Sequence, residues 1–349
     1  MNKSFNIKGR EVGENAPCYI IAEMSANHGG DKDKAIEIIH EAKRVGADCI
    51  KIQTYTADTL TIPCDNDYFQ IHAGTWKGEN LHALYQKAYT PWEWQAELKE
   101  EAEKIGLAFL STAYDSSSVD FLEELKVDFY KIASFEAVDI PLIRYIASKH
   151  KPIIMSVGMA SLGEIEDAVS AVSGEGNEDL CLLKCSSAYP AIPEEMNLKT
   201  ITNMRETFDV PVGLSDHSLG SLSALIAVSL GACVVEKHIC LSREFVTPDS
   251  SFSMEPAEFK QMIDDIHAAE KALGKISYAP SEGEVSSTRF RKSIFIVEDM
   301  EAGDVFTPEN LRIIRPSDGL PPKLLDAILG KRVSKRAERG TPLTWELIG

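Results

Sequence analysis

Long apolar segments, basic residues and closely spaced cysteines are all scarce in this sequence. No apolar run is long enough to cross a membrane, and the polar segment after Met1 does not resemble a secretory signal. Lys and Arg total 36 against 54 Asp and Glu, a formal net charge of −18, which argues against nucleic acid or an anionic membrane as a partner. No two cysteines have the CxxC spacing of a zinc knuckle or redox centre. We therefore expect a cytoplasmic protein that binds neither nucleic acid nor membrane.

The cysteines that are present, seven in all, point to a reducing compartment. Five of them lie in or beside apolar runs: Cys49, Cys181, Cys185, Cys233 and Cys240. An odd number of cysteines in such places is best explained by buried, reduced thiols.

The charge is unevenly distributed, which suggests two domains. Residues 284–349 contain 11 Lys or Arg and 10 Asp or Glu, a net charge of +1, so residues 1–283 carry −19. The change falls at PSEGE, which has the composition of a linker. We predict a large domain over residues 1–283 and a small one over residues 284–349. The small one has short strands, one short helix and many turns, too little for a large core.

Eight short apolar runs recur along the first 283 residues, with helix-length segments between them. The runs are CYIIAEMS, DCIKIQT, AFLSTAY, FYKIASF, PIIMSVG, LCLLKCS, PVGLSDH and CVVEKHI. Strands that are apolar throughout are buried on both faces, as in a parallel sheet. Eight β-then-α units in this length predict an α/β fold of the (β/α)8 TIM-barrel type. A doubly wound open sheet is the alternative, but no GxGxxG motif follows the first strand.

Two histidines, His217 and His238, end the seventh and eighth runs, with one helix-length segment between them. If both runs are parallel strands, both imidazoles lie at the same end of the barrel, where they could bind a divalent metal. A single histidine in such a position is more often structural. Two at consecutive strand ends favour a metal site.

Polar residues occur at the ends of all eight predicted strands, which is the end where barrel enzymes bind substrate. The remaining members of this set are Glu23, Ser25, Asn27, His28, Lys51, Gln53, Ser111, Thr112, Asp115, Lys131, Ser134, Glu136, Ser156, Lys184, Ser186, Ser187, Tyr189, Ser215, Asp216, Glu236 and Lys237. Lysines and hydroxyls suit a phosphate or carboxylate, and the candidates are Lys51, Thr112, Lys131, Ser134, Ser156, Ser187 and Ser215. Glu23 and Glu136 could hold a polyol or transfer protons.

The connection between the second and third strands, residues 55–90, is unusually long. Long loops in compact domains usually serve function, and this one would lie at the carboxyl end of the barrel. Four aromatic side chains could wall off a pocket there: Trp76, Tyr85, Tyr89 and Trp92. For Trp92 and the nearby Trp94 we favour packing against the barrel instead.

The strand-end motifs, taken in order, resemble those of the nonulosonic acid synthases of the sialic acid synthase superfamily. The motifs are IAEMSANHGG, KIQTYT, STAYD, YKIAS, SVGMAS, SSAYP, VGLSDHS and EKHI. The tail, with RKSIF, IIRPSDGLPP and LGKRV, resembles their C-terminal antifreeze-like (SAF) domain. The resemblance covers essentially the whole chain. It implies a TIM barrel followed by a SAF domain, and a metal-dependent condensation of phosphoenolpyruvate with an acetamido sugar that releases phosphate.

Within this superfamily the sequence is most similar to the pseudaminic acid synthase branch. The similar segments are AEMSANH, QTYTADTLTI and GTWKGENLHALYQKAYTPWEW. Where the sialate branch has PDH, this chain has PDS, so Ser250 follows Asp249. That difference fits a 6-deoxy sugar, and the implied substrate is 2,4-diacetamido-2,4,6-trideoxy-L-altrose. N-acetylmannosamine and diacetamido gulose- or mannose-type sugars, used for neuraminate or legionaminate, remain alternatives.

The resemblance also implies roles for individual residues. His217 and His238 match the ligands of a divalent metal, with Mn²⁺ favoured over Mg²⁺ or Co²⁺. The anion candidates named above match the phosphoenolpyruvate pocket, although Ser187 stands where some relatives have Asn. Matches to the sugar site are Glu23, Gln53, Tyr189 and Asp249. Glu136 matches the acid beside the reacting carbons. Arg315 resembles the arginine that one subunit's tail sends into the other subunit's site, which implies a domain-swapped homodimer.

The implied reaction begins at the open-chain aldehyde of the sugar, polarised by the metal. The methylene carbon of phosphoenolpyruvate attacks it, water adds with help from Glu136 or Glu23, and phosphate leaves by C–O cleavage. Two other functions remain open. A Schiff-base aldolase would use Lys131 or Lys184 and pyruvate, but leaves the paired histidines unexplained. A non-catalytic sugar-binding or scaffold protein leaves the polar strand ends unexplained.

Overall fold

Eight parallel strands close into a barrel, as the sequence predicted, and a short N-terminal hairpin precedes them. The structure is a computed structural model that describes all 349 residues. The hairpin consists of β1 (Ser4–Ile7) and β2 (Arg10–Gly13). The barrel strands are β3 (Tyr19–Glu23), β4 (Cys49–Thr54), β5 (Ala108–Ala113), β6 (Tyr130–Ile132), β7 (Ile153–Ser156), β8 (Leu180–Cys185), β9 (Val212–Asp216) and β10 (Val234–His238). Each pairs with its neighbours in the chain and β10 pairs with β3, which excludes the open sheet.

Helices connect successive strands and surround the barrel. They are α1 (Lys32–Val45), α2 (Ala57–Leu60), α3 (Leu81–Ala88), α4 (Trp92–Lys104), α5 (Ser116–Glu124), α6 (Ile140–Ala147), α7 (Leu162–Gly174), α8 (Thr200–Phe208), α9 (Leu222–Ser229) and α10 (Pro256–Leu273). None of the helices is long and apolar enough to cross a membrane. All seven cysteines are free, and all but Cys64 are buried.

Local sequence explains where a helix such as α1 begins and ends. The carboxylate of Asp31 accepts hydrogen bonds from the backbone N–H groups of Asp33 and Lys34, which have no partner within the helix. Gly46 ends the helix at φ 97°, a conformation that favours glycine. The buried residues recur at helical spacing: Ala35, Ile38, Ile39, Ala42 and Val45. They pack against the outward faces of the strands.

The barrel interior is apolar at its amino-terminal end and polar at its carboxyl end. One cluster of buried side chains fills the amino-terminal end and includes those of the hairpin: Phe5, Ile7, Val12, Tyr19, Ile21, Cys49, Leu110, Phe129, Ile154, Cys181, Leu183, Cys233 and Val234. Successive strand side chains point to opposite faces, so the next inward positions lie two residues further along each strand. Those positions carry Glu23, Lys51, Lys131 and Glu236, all buried.

The chain divides into two compact units, Met1–Gly274 and Lys275–Gly349. The division follows the end of α10, earlier in the chain than the boundary at 283/284 expected from charge. The second unit contains α11 (Glu282–Val285), β11 (Ser293–Ile296), β12 (Leu311–Ile314) and α12 (Leu325–Ile328), and the two strands pair antiparallel. Its own core is small and consists of Ile294, Ile296, Met300, Phe306, Leu311, Ile328, Val333, Ala337, Leu343 and Leu347.

Candidate active site

A cavity of about 380 Å³ opens at the carboxyl end of the barrel strands. It brings together side chains from strands that are far apart in the sequence, as expected for a closed barrel. Twelve of the fifteen predicted site residues line it: Glu23, Lys51, Gln53, Lys131, Ser134, Glu136, Ser156, Tyr189, Ser215, His217, His238 and Asp249. The other three are Thr112, Ser187 and Arg315.

A buried charge cluster forms the floor of this cavity. Lys51 Nζ lies 2.8 Å from Glu236 Oε1 and 3.2 Å from Glu23 Oε2. Lys131 Nζ lies 4.0 Å from Glu236 Oε2. Burial alone would raise the pKa of Glu236, but Lys131 and Lys51 outweigh it, and the pKa of Glu236 is lowered. Glu236 is therefore a carboxylate that lies beside two lysines and offsets part of their positive charge.

Hydroxyl groups surround the second lysine of the floor. Lys131 Nζ donates to Ser156 Oγ at 2.7 Å and to the carbonyl of Ile132 at 2.8 Å. Burial lowers the pKa of Lys131 to about 8. Ser215 Oγ donates to Glu236 Oε1 at 3.3 Å. Cations and hydroxyl donors directed into one cavity suit a multiply charged anion.

Gly158, which follows β7, allows Ser134 and Ser187 to approach each other. The backbone N–H of Gly158 donates to Ser134 Oγ at 3.0 Å. A Cβ atom at position 158 would lie only 2.5 Å from Ser187 Oγ and 2.9 Å from Ser134 Oγ. Ser187 is therefore beside the cavity even though it is not part of its lining.

Several buried polar atoms at the cavity have no hydrogen-bond partner within the protein. They are Glu23 Oε2, Thr112 Oγ1, Glu136 Oε2, Glu236 Oε2 and His238 Nδ1. Thr112 lies between Gln53 and Lys131 in the barrel, since its backbone pairs with both. Buried polar groups are nearly always hydrogen-bonded, so unpaired atoms of residues that line one cavity, as all of these except Thr112 do, indicate a ligand with complementary polar atoms.

The two histidines from β9 and β10 lie side by side, with their ring centroids 5.3 Å apart. His217 Nδ1 lies 2.9 Å from the carbonyl of Ser186, which requires a proton on Nδ1, so Nε2 is the atom through which the neutral ring would bind a metal. Burial and the neighbouring His217 hold the pKa of His238 well below its usual value, so this ring is neutral. Neutral imidazoles are the form that binds metal. No group of three or more His, Cys, Asp or Glu side chains is arranged for metal binding.

Cys185 is a cavity residue that sequence reasoning did not select. Its Sγ lies 3.8 Å from His217 Nδ1. Burial would raise the pKa of Cys185, but His217 outweighs it and the pKa falls to about 6. The same contact raises the pKa of His217, against the effect of its burial.

Two glutamates at the cavity have raised pKa values. Burial raises the pKa of Glu136 to about 7, with Lys131 opposing it. Burial also raises the pKa of Glu23 to about 7, against the effect of Lys51. A carboxyl group with a pKa near neutrality can both donate and accept a proton, as general acid–base catalysis requires.

Aromatic side chains enclose the histidine side of the cavity. Tyr189 packs on His217 with ring centroids 4.2 Å apart, and Phe252 lies 5.1 Å from His238. Trp76 lies 5.3 Å from Tyr189. The long connection thus contributes Trp76 and Tyr85 to the pocket, as predicted, but not Tyr89 or Trp92.

Two further polar side chains of the lining, Gln53 and Asp249, form hydrogen bonds with neighbouring groups. Gln53 Nε2 donates to Glu23 Oε1 at 3.0 Å. Asp249 Oδ2 accepts the backbone N–H of Ala26 at 3.2 Å. Burial raises the pKa of Asp249.

Several polar strand-end residues face away from the cavity, contrary to the expectation that the whole set faces the active site. Lys237 Nζ bonds Asp216 Oδ2 at 2.7 Å, and this buried pair lies on the outward faces of β10 and β9. Lys184 donates to the carbonyl of Cys185 and does not line the cavity. The reason is the two-residue repeat of a strand, since Ser215, His217, Glu236 and His238 all face inward. Lys184 is therefore wrong as a Schiff-base candidate.

His28, ambiguous in the sequence, is a buried structural residue. Its Nε2 lies 3.2 Å from Thr90 Oγ1, and its Nδ1 accepts the backbone N–H of Gly30 at 3.0 Å. Trp94 packs on its edge at 5.7 Å, which confirms the packing role predicted for that side chain. Trp92 likewise packs on Phe121, at 4.7 Å.

Fold and site together define a (β/α)8-barrel protein with a polar, lysine-lined cavity beside a histidine pair. The NeuB family model matches residues 38–278, and the SAF domain model matches residues 291–348. The chain belongs to the NeuB family and carries a SAF domain.

Named relatives and a solved structure agree with this membership. The chain is 43% identical to the pseudaminic acid synthase of Campylobacter jejuni over 93% of this chain and 95% of that protein. It is also 43% identical to the pseudaminic acid synthase of Helicobacter pylori, over 94% and 97%. The N-acetylneuraminic acid (sialic acid) synthetase of Leptospira borgpetersenii superposes with a TM-score of 0.74 at 31% identity, covering 82% of this chain and 95% of that one.

Proposed function

We propose that this chain condenses phosphoenolpyruvate with 2,4-diacetamido-2,4,6-trideoxy-L-altrose to form pseudaminic acid and phosphate. It is thus a phosphoenolpyruvate-dependent transferase. The observation that carries this proposal is the 43% identity, over more than nine-tenths of each chain, to two pseudaminic acid synthases. The methylene carbon of phosphoenolpyruvate bonds to the aldehyde carbon of the open-chain sugar, water adds to the former enol carbon, and phosphate leaves by C–O cleavage.

Phosphoenolpyruvate is assigned to the charged floor of the cavity. Lys51 and Lys131 bind its phosphate and carboxylate, and hydroxyl groups complete the pocket: Thr112, Ser134, Ser156, Ser187 and Ser215. The unpaired Thr112 Oγ1 supports this assignment. Two fixed cations position the donor and stabilise the charge that moves to the departing phosphate.

His217 and His238 are proposed to hold a divalent metal, with Mn²⁺ favoured and Mg²⁺ or Co²⁺ as alternatives. The unpaired, neutral His238 ring and the fixed tautomer of His217 fit this role. Two protein ligands leave positions open for substrate oxygens, as catalytic metal sites require. When bound, such a metal supplies a Lewis acid for the aldehyde oxygen.

The sugar is proposed to lie between the histidine pair and the long connection. Gln53, Tyr189 and Asp249 contact its polar groups. Glu136 or Glu23 takes a proton from the water that adds to the enol carbon. Their raised pKa values support this role, because a carboxyl group that titrates near pH 7 exchanges protons readily.

The active form is proposed to be a homodimer in which Arg315 of the second unit enters the partner's cavity. Apolar side chains are exposed on the connections after β6, β7 and β9, on one side of the cavity mouth: Phe135, Val138, Met159, Leu162, Leu219 and Leu222. Exposed apolar side chains grouped in this way indicate a protein contact. Opposite net charges on the two parts of the chain, −19 and +1, favour contact between them across two copies.

Mass spectrometry of products from phosphoenolpyruvate and each candidate sugar tests this function. We expect pseudaminic acid and an equal amount of phosphate from the altrose-configured sugar. Formation of N-acetylneuraminate alone would contradict the sugar assignment and leave the condensation intact. Absence of phosphate release with every sugar would contradict the synthase assignment.

Neuraminate and legionaminate synthesis remain the alternative function, since they use the same donor and an acetamido sugar. The lower identity to the Leptospira sialic acid synthetase, 31%, disfavours neuraminate. A Schiff-base aldolase is the remote alternative, with Lys131 as its lysine. Borohydride would trap Lys131 with pyruvate in that case, and we expect no such adduct.

A further inference from the structure

One segment of the chain, residues 57–88, contributes an apolar side to the cavity. Its side chains at the cavity, here called the apolar wall, are Leu60, Ile71, Leu81, Leu84, Tyr85 and Ala88. The segment also contributes Trp76, but the indole N–H of Trp76 already donates to the carbonyl of Pro248 at 3.0 Å. The Tyr85 hydroxyl is thus the one polar group that the wall itself offers to a ligand.

The wall and the charged floor come from different parts of the cavity. The segment leaves the barrel after β4, which lies opposite β8 in the closed strand order. It then crosses the mouth, because the Thr75 hydroxyl donates to the carbonyl of Tyr189, a residue that follows β8. The lysines, the glutamates and the histidine pair lie on the barrel strands or directly after them. In the proposed reaction the aldehyde carbon lies at the histidines, and the rest of the sugar then extends towards the mouth that this segment crosses.

We propose that the apolar wall selects an acetamido sugar whose terminal carbon is a methyl group rather than a hydroxymethyl group. The inference rests on the proposed function, because it concerns the sugar of that reaction. A methyl group that packs against the wall is stabilised by leaving water and loses no hydrogen bond. A terminal hydroxyl there loses its water partners and meets, at most, one phenol.

The terminal carbon fits the wall better than the methyl of an acetamido group does. An acetamido methyl is attached directly to a carbonyl carbon, so its amide oxygen and N–H reach the same surface. Both amide groups need hydrogen-bond partners when buried. Gln53 and Asp249, elsewhere in the lining, offer such partners, whereas the wall offers only Tyr85.

Two acceptor sugars that differ only at the terminal carbon, one with a methyl group and one with a hydroxymethyl group, test the proposal. Phosphate release gives kcat/KM for each sugar with the full-length protein and phosphoenolpyruvate. We expect kcat/KM to favour the methyl sugar by about 10- to 100-fold, the range in which an apolar pocket rejects an added hydroxyl.

Substitutions in the wall locate the source of this preference. Ile71→Thr replaces the ethyl branch of the isoleucine by a hydroxyl group and keeps the β-branch. Leu81→Thr introduces a smaller, polar side chain at a second position of the wall, on α3. We expect each to reduce the preference several-fold, mainly by raising KM for the methyl sugar. Ile62→Thr is the matched control, because Ile62 belongs to the same segment, is 57% exposed and does not line the cavity. It should keep the wild-type preference.

The outcomes separate this proposal from the proposed function. Equal kcat/KM for the two sugars would contradict selection by the apolar wall but not the proposed condensation. A preference that Ile71→Thr and Leu81→Thr both leave unchanged would have the same meaning. No phosphate release with either sugar would overturn both. Thermal unfolding of each variant shows whether a variant that has lost the preference is still folded.

Discussion

Lys51 and Glu236 form an ion pair 2.8 Å long inside the barrel, between strands that begin about 185 residues apart in the chain. Both side chains are at most 5% exposed. The same carboxylate also lies near Lys131 and Ser215, so it offsets part of the positive charge at the floor of the cavity. An incoming anion must replace Glu236 as the partner of at least one lysine.

Removal of this carboxylate should destabilise the protein and create a stronger anion site. We expect Glu236→Ala to lower the free energy of unfolding by roughly 3–5 kcal/mol, because two buried lysines lose their partner. Inorganic phosphate should raise the melting temperature of this variant more than that of the wild type. Urea and thermal unfolding measure both effects.

The matched control for that experiment is Glu79→Ala, which breaks an exposed ion pair with Lys87. We expect Glu79→Ala to change the free energy of unfolding by less than about 0.5 kcal/mol. Phosphate should raise the melting temperature of this variant no more than that of the wild type. An equal loss of stability in the two variants would contradict a special role for the buried pair.

The histidine pair should account for metal binding. We expect His217→Ala and His238→Ala each to weaken Mn²⁺ binding about 100-fold or more, because a site with two protein ligands loses half of them. Electron paramagnetic resonance of titrated Mn²⁺ measures the affinity without relying on turnover. His40→Ala, an exposed histidine on α1, should bind Mn²⁺ as the wild type does. Product formation at an undiminished rate after EDTA treatment would refute the metal site.

Glu136 should give both activity and stability a dependence on pH. Its folded-state pKa of about 7 lies above its ordinary value of 4.5. Protonated Glu136 therefore contributes its full stabilisation of the folded protein below about pH 4.5. This stabilisation is lost as the pH rises through 7. We expect Glu136→Gln to unfold with a free energy roughly 1–3 kcal/mol higher than the wild type at pH 8, and with little difference at pH 4.

The activity of the same variant is the second readout for Glu136. Glu136→Gln should lower kcat by about 100-fold or more and remove the limb of the kcat–pH profile near pH 7, because Gln cannot exchange a proton. An unchanged profile would assign that limb to another group, of which Glu23 is the nearest candidate.

A shared site between two copies predicts complementation between inactive variants. We expect Arg315→Ala and His217→Ala each to be almost inactive alone. Co-expression should form mixed dimers in which one cavity receives an intact Arg315 and an intact His217. Up to about half of the activity of a wild-type dimer should then return in each mixed dimer. Failure of the mixture to recover activity, with dimers present by ultracentrifugation, would place Arg315 outside the partner's site.

Much of this arrangement could be predicted from sequence, because a strand end is a local feature. Eight apolar runs separated by helical segments are enough to predict a closed barrel, and its carboxyl end collects whatever polar residues follow the runs. His217 and His238 could be selected for that reason. The direction in which a residue faces also follows a local rule, and applying the two-residue repeat would have excluded Lys184, Asp216 and Lys237 in advance.

Contacts between distant strands could not be predicted in the same way. Glu236 stands at a strand end like many other acids, and only its 2.8 Å contact with Lys51 sets it apart. Cys185 looked like one more buried thiol until the barrel placed it beside His217. The apolar wall could not be separated from ordinary core residues, because helical spacing does not show whether a leucine meets protein or an empty cavity.

The sequence alone determined the barrel, the position of its active end and the family to which the chain belongs. Each of these depends on the order and spacing of residues along the chain. Only the tertiary structure decided which charges meet, which polar atoms stay unpaired and which side chains line the cavity. The physical reason is that pairing, burial and the pKa shifts they cause depend on distances between residues far apart in sequence, and closure of the barrel sets those distances.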